Sequence, residues 1–296
     1  MEIEARRDAY AGGGLERHCY PNWVARYNFA VNLGTRRGIA FVVIGIAAGA
    51  AVSFVYQTWN SRPVPFVDVY DGFETPRLSE LWATDRLARG AVTMQSDVVL
   101  AGHRAARIVL HGGDVFERGI NGSKDTERDE LAETQRLYSR ENVTYEYSFS
   151  QFLPQDFPIV PTRLVIAQWK QYCNGQPACD DDSPVVALRY VSGLLRITQN
   201  ISRHGRALYE SATDLRGHWT DYRFQLRFTA TEAGLIRAWI DNTQVVDFRG
   251  PTAYPENSTT GYGSPSLFYF KMGLYRDLMA EPMTIYIDEY RKKELP

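Results

Sequence analysis

Three short stretches carry side chains that could do chemistry together. In YFKMGLY (269–275), strand alternation puts Tyr269, Lys271 and Tyr275 on one face, and Phe270, Met272 and Leu274 on the other. In RLVIAQWKQY (163–172), the same rule groups Leu164, Ile166, Gln168, Lys170 and Tyr172 against Val165, Ala167 and Trp169. Gln168 and Lys170 then stand side by side on a face that begins apolar. In TERDEL (126–131), Thr126, Arg128 and Glu130 alternate with Glu127, Asp129 and Leu131. Fixed cations and amide donors can stabilise negative charge as it develops. A positioned phenol can give or take a proton. Taken singly, the stretches have plainer readings: a charged surface segment at 126–131 and a sheet edge reaching solvent at 163–172. Glu127, Asp129 and Glu130 also raise the rival chemistry of a glycosidase carboxylate pair, although the E-x-D-x-x-E pattern of laminarinase-like hydrolases is absent.

The elements that must position these residues are strands. The chain has 296 residues, and 13% of them are aromatic. Aromatic and β-branched residues dominate the apolar runs beyond about residue 90, as strands favour. Expected strands cover 92–100, 105–111, 143–152, 163–172, 185–190, 194–201, 219–229, 235–241, 244–249, 266–274 and 284–291. In VTYEYSFS (143–150), Val143, Tyr145, Tyr147 and Phe149 form a core face; in WTDYRFQLRF (219–228), Tyr222, Phe224, Leu226 and Phe228 do so. Asp241-Asn242 reads as the turn of a hairpin over 234–248. Many short strands without βαβ alternation or internal repeats predict an all-β jelly roll, a two-sheet sandwich. The formal charge of −2 does not suit a nucleic-acid binder.

The N-terminal region differs in kind. The run IAFVVIGIAAGAAVSFVY (39–56) lacks charge and approaches the roughly 20 residues that cross a bilayer. Arg6, Arg7, Arg17, Arg26, Arg36 and Arg37 precede it, which places the N-terminus in the cytoplasm. The expected organisation is a cytoplasmic tail (1–37), a single transmembrane signal anchor (38–57), a linker (58–67) and an exported β-domain (68–296) held at the inner membrane. The alternative is cleavage: TRRGIAF is similar to a twin-arginine signal, and Ala48-Gly49-Ala50 offers a small-residue cleavage site. Cys173 and Cys179 flank a polar loop and could close a disulfide in an oxidising compartment. Asp180, Asp181 and Asp182 are candidates for a structural calcium ion, with a solvated loop as the plainer reading.

Together, RDEL, QWK and YFKMGLY resemble the three ordered strand motifs of jelly-roll polysaccharide lyases. Among these, alginate lyases carry R-(S/T)-E-L, Q-(I/V)-H and Y-F-K-x-G-x-Y, and heparin lyase I and glucuronan lyases have related arrangements. The resemblance covers roughly 68–292 and implies a concanavalin-like sandwich. It implies β-elimination on an acidic, uronate-containing polysaccharide, with no cofactor required. Arg128 and Gln168 would hold the substrate carboxylate, Tyr275 would be the catalytic phenol, and Lys271 would add positive charge beside both. Tyr269, Arg189 and His111 are further candidates for lining the substrate site. The sequence departs from the alginate-lyase pattern at Lys170, where that family has histidine. An ordinary lysine is protonated at neutral pH and is no base: either burial near Arg128 and Lys271 depresses Lys170, or it stays charged and neutralises substrate; the second is the favoured reading, with Tyr275 as both base and acid. Two further functions fit the same residues: a glycan-binding protein without turnover, and a glycoside hydrolase on the same fold.

Overall fold

The computed structural model describes residues 66–84, 87–114, 126–172, 184–201, 205–255 and 265–296. The expected tail and anchor, most of the linker, Cys173, Cys179 and Asp180 to Asp182 lie outside these residues. Among the described residues no helix is long and apolar enough to cross a membrane.

Sixteen strands follow one another along the described chain. They are β1 (Asp68–Asp71), β2 (Trp82–Ala83), β3 (Val92–Gln95), β4 (Ala105–Leu110), β5 (Thr126–Glu133), β6 (Ser139–Arg140), β7 (Thr144–Phe152) and β8 (Leu164–Tyr172). Then come β9 (Val186–Val191), β10 (Leu194–Gln199), β11 (Arg206–Ala212), β12 (Trp219–Arg227), β13 (Leu235–Ile240), β14 (Thr243–Arg249), β15 (Leu267–Asp277) and β16 (Met283–Glu294). A single 3-10 turn, Gln135–Leu137, links β5 to β6.

The strands form two antiparallel eight-stranded sheets. One runs β14-β13-β12-β7-β16-β4-β3, with β1 added on β16; the other runs β11-β10-β9-β8-β15-β5-β2, with β6 added on β15. Their inner faces meet through aromatic rings. Trp169 of β8 lies 4.6 Å from Phe224 of β12 and 5.4 Å from Tyr147 of β7, while Phe270 of β15 lies 5.2 Å from Phe149 of β7. Each such pair adds about 0.5–1.5 kcal/mol beyond the burial of its area. The expected core faces of β7 and β12 are buried, and Asp241 and Asn242 both take positive φ at the β13–β14 turn, as a type I′ hairpin requires.

Every expected strand is present, but one face assignment changes. Opposite residues of an antiparallel pair share a face, and Val165 stands opposite both Tyr275 and Arg189. The next pairs on β8 are Ala167 with Leu188 and Met272, so β8 takes two steps where β9 takes one. Ile166 is the extra residue of a β-bulge. Leu164, Ile166, Ala167 and Trp169 all enter the core, whereas Val165 turns to the outer face with Gln168 and Lys170. The apolar-to-polar change along the expected Leu164–Tyr172 face is therefore a change of face.

Candidate functional site

β15 runs between β5 and β8, and the register aligns the residues singled out above. On the outer face Tyr275 pairs with Arg128, Gly273 with Glu130, Lys271 with Gln168, and Tyr269 with Lys170. Arg128, Gln168, Lys170, Lys271 and Tyr275 thus share one face of three adjacent strands.

Glu130 joins them. Its carboxylate accepts hydrogen bonds from the Gln168 side-chain amide and, at 2.9 Å, from Lys271 Nζ; Arg128 Nη1 lies 3.9 Å away. Lys271 and Glu130 are almost sealed, with 0% and 1% of their side chains exposed, whereas Arg128 keeps 17%. Burial pushes the Glu130 carboxyl up, but Lys271, Arg128 and the two hydrogen bonds outweigh it and hold the carboxyl below its ordinary range. Lys271 therefore directs its ammonium to Glu130. Glu130 entered the sequence reading only as part of a rival carboxylate pair; its signal was its place two residues after Arg128 on the same face.

At the Tyr275 end, Arg128 Cζ lies 4.3 Å from the centre of the phenol ring, a cation–π contact. Arg163 Nη1 donates to the phenol oxygen at 3.3 Å, and Arg163 also pairs with Asp277 at 2.9 Å. Regular alternation puts Val165, and Arg163 two residues before it, on the face opposite Gln168, and the Ile166 bulge is what brings both to the site. Arg189, opposite Val165, donates to the Thr198 hydroxyl at 3.1 Å.

At the other end, Tyr269 stacks on Tyr138 with ring centres 5.2 Å apart, and Tyr138 meets Tyr172 edge-on at 5.2 Å. His111 stands apart from this assembly. Its side chain is 65% exposed, and its Nδ1 lies 3.5 Å from Asp114 in the turn after β4.

Gly273 stands where two backbones approach too closely for a side chain. Its φ is +138°, and an added Cβ would lie 2.4 Å from the Asp129 carbonyl oxygen. The glycine permits β5 to approach β15 at the point where Glu130 reaches Lys271 and Gln168. Among the described residues, no group of three or more His, Cys, Asp or Glu side chains is placed to hold a metal ion.

Residues 70–291 match the family model described as polysaccharide lyase. Among solved structures, the chain is similar to the endo-β-1,4-glucuronan lyase from the fungus Trichoderma reesei. That match has 17% identity and a TM-score of 0.53, and it covers 71% of this chain and 89% of that one. The chain is also similar to alginate lyase A1-II′, a member of polysaccharide lyase family 7, with 12% identity, a TM-score of 0.50, and 69% and 83% of the two chains covered. At these identities the likeness establishes the sandwich fold. No curated protein matches the chain.

Proposed function

This chain belongs to the polysaccharide lyase family, and on that premise we propose that it cleaves a uronate-containing acidic polysaccharide by β-elimination on the outer face of β5, β15 and β8. Alginate and glucuronan, the polymers named for the two similar structures, are both uronate chains, which supports the substrate class. The observation that carries the reading is the shared face on which Glu130 connects Lys271, Gln168 and Arg128, with Tyr275 beneath Arg128.

In this reaction the C5–H bond breaks, the C4–O bond to the leaving sugar breaks, and a C4=C5 double bond forms. The proton lies α to a carboxylate, so negative charge grows toward that carboxylate as it leaves. Arg128 and Gln168 hold the carboxylate through a guanidinium fork and an amide N–H. Glu130 orients both side chains, and Lys271 fixes Glu130. The Tyr275 oxygen takes the C5 proton and delivers it to the leaving oxygen on the same side of the sugar. Arg163 donates to that oxygen and Arg128 covers the ring, so two positive charges stand beside the atom that carries charge during the transfer. Lys170, opposite Tyr269, neutralises a further part of the polymer.

Tyr275→Phe is expected to lower kcat by about 10²–10⁴-fold, the range for a lost general acid–base group, with the melting temperature unchanged. The readout is ultraviolet absorbance of the unsaturated uronate formed from glucuronan or alginate. Full activity in the variant would remove Tyr275 from its role, and no unsaturated product from any uronate polymer would remove the lyase reading. Lys170, standing where alginate lyases have histidine, favours a second reading: a glycan-binding protein without turnover. Binding without product, with turnover appearing in Lys170→His, would select it. We also propose that residues 39–56 anchor the β-domain outside the cytoplasm, on the strength of their uncharged run and the arginines before it. Protease digestion of intact spheroplasts should then remove the β-domain.

A further inference from the structure

A line of residues crosses the site sheet at Tyr275. By register, Arg128, Tyr275, Val165, Arg189 and Arg196 stand opposite one another on β5, β15, β8, β9 and β10, all on the outer face. Most arginines on this face have a carboxylate. Arg163 pairs with Asp277 at 2.9 Å, Arg196 with Glu210 at 2.5 Å, and Arg128 lies 3.9 Å from Glu130. Arg189 differs. It is half-buried, its hydrogen bond goes to the neutral Thr198 hydroxyl, and among the described residues no carboxylate forms an ion pair with it. Burial lowers its pKa, the nearby Tyr275 phenol opposes that change, and Arg163 adds to it.

A guanidinium partly taken out of water without an anion is destabilising. Such a group persists at a functional site when an anion arrives with the ligand. Arg189 lies two strands from Tyr275, about 10 Å at the usual interstrand spacing, which leaves room for the neighbouring sugar of a chain lying across the strands. We propose that Arg189 is a second carboxylate site, one that binds the uronate next to the residue held by Arg128 and Gln168. The protein would then require acidic sugars on both sides of the cleaved bond. Its substrate is a polymer of contiguous uronates, and chains that alternate uronate with an uncharged sugar are poor substrates. This inference rests on the lyase reading for its cleavage site, but its binding half can be tested separately.

The test uses the full-length protein with Arg189→Gln and Arg189→Met, read in two ways. The first is turnover of glucuronan against hyaluronan, a strictly alternating polymer. The second is direct binding of a saturated glucuronan tetrasaccharide by Tyr275→Phe, with and without Arg189→Gln. A lost charge-assisted hydrogen bond corresponds to about 1.5–3 kcal/mol, or roughly 10–150-fold. KM for glucuronan should rise by that factor with kcat nearly constant, and tetrasaccharide affinity should fall to match. Neither substitution should lower the melting temperature, because each removes a half-buried charge that no carboxylate among the described residues pairs with. Unchanged KM and tetrasaccharide affinity would overturn the proposal, as would equal kcat/KM of the unaltered protein on the two polymers, or a melting temperature and kcat that fall together. Tetrasaccharide binding that depends on Arg189 without any cleavage would uphold this site and overturn the lyase reading alone.

Discussion

Glu130 and Glu133 stand three residues apart on β5, both are buried, and both are paired with a lysine, yet they shift in opposite directions. Odd spacing on a strand sends them to opposite faces. Glu130 lies on the outer face, where Lys271, Arg128 and the Gln168 amide overcome burial and keep its carboxyl low. Glu133 points between the sheets. It receives the Tyr290 hydroxyl at 2.7 Å, the Phe270 N–H at 3.1 Å and Lys292 Nζ at 3.1 Å. There burial wins: the Glu133 carboxyl is raised and the Lys292 amine lowered. Lys292 also donates to the Leu137 carbonyl and sits 5.0 Å from the Tyr147 ring centre. Burial and ion pairing are common to both places. What differs is the second positive charge: Glu130 has Arg128 as well as Lys271, beside a half-buried phenol, whereas Glu133 has three donors but one cation and is closed by aromatic rings. A buried ion pair is therefore weak grounds for a site, and the groups around it decide.

The sharpest way to break this comparison is to remove one partner of the inner pair. Lys292→Ala should cost about 3–5 kcal/mol, because Glu133 stays buried without a cation; urea unfolding reads the loss, and a change under 1 kcal/mol would mean that solvent reaches the pair. Exchanging both partners separates the two places by function. Glu130→Leu with Lys271→Met should lower kcat/KM on a uronate polymer by roughly 10²-fold, as loosened positioning does. Glu133→Leu with Lys292→Met should keep both the fold and the activity, since apolar replacement of a whole buried pair is often neutral. Equal losses in the two double variants would erase the distinction.

Gly273→Ala tests the contact that brings Glu130 to Lys271. A strained φ costs about 1–3 kcal/mol, and the displaced β5 backbone should lower activity more than stability. A melting curve and a rate that both match the unaltered protein would show that β5 yields without consequence. A pH series tests Asp129, which lies between Arg128 and Glu130 on the opposite face. Burial pushes its carboxyl up to about 7, against the hydrogen bond from the Ala88 N–H, and the neighbouring Asp114 carboxylate adds to the rise. From pH 3.8 to about 7 the unfolded chain gives up this proton while the folded chain keeps it, so stability falls as pH rises, by up to about 1.4 kcal/mol per pH unit. Asp129→Asn should flatten that slope in a series of denaturation curves; an unaltered slope would assign it to other groups.

Much of this was legible from alternation alone. The core faces of β7 and β12, the β13–β14 hairpin, and the common face of Tyr269, Lys271 and Tyr275 follow from period two, because those strands keep a regular pleat. β11 was missed for a local reason: RALYESA, an edge strand, has little buried area and helix-favouring residues. Val165 was assigned to the wrong face because a bulge leaves no mark in a run of β-branched and apolar residues. The Glu133–Lys292 pair was invisible because 159 positions of chain separate its members. Arg189 was named as a candidate, but its lack of a carboxylate partner could be seen only once the strands were side by side.

The bulge at Ile166 also sets a phase. Everything on β8 before it points one way and everything after it is advanced by half a pleat, so side-chain direction along this strand behaves like a reading frame. Deleting one residue there would swing Gln168 and Lys170 into the aromatic interior and turn Trp169 to the outside, or else force Arg163 and Val165 to exchange sides. No side chain of the proposed site need change for the site to vanish. A single-residue insertion or deletion at this point could therefore erase or create the site in one step, and comparisons that score substitutions alone would overlook it.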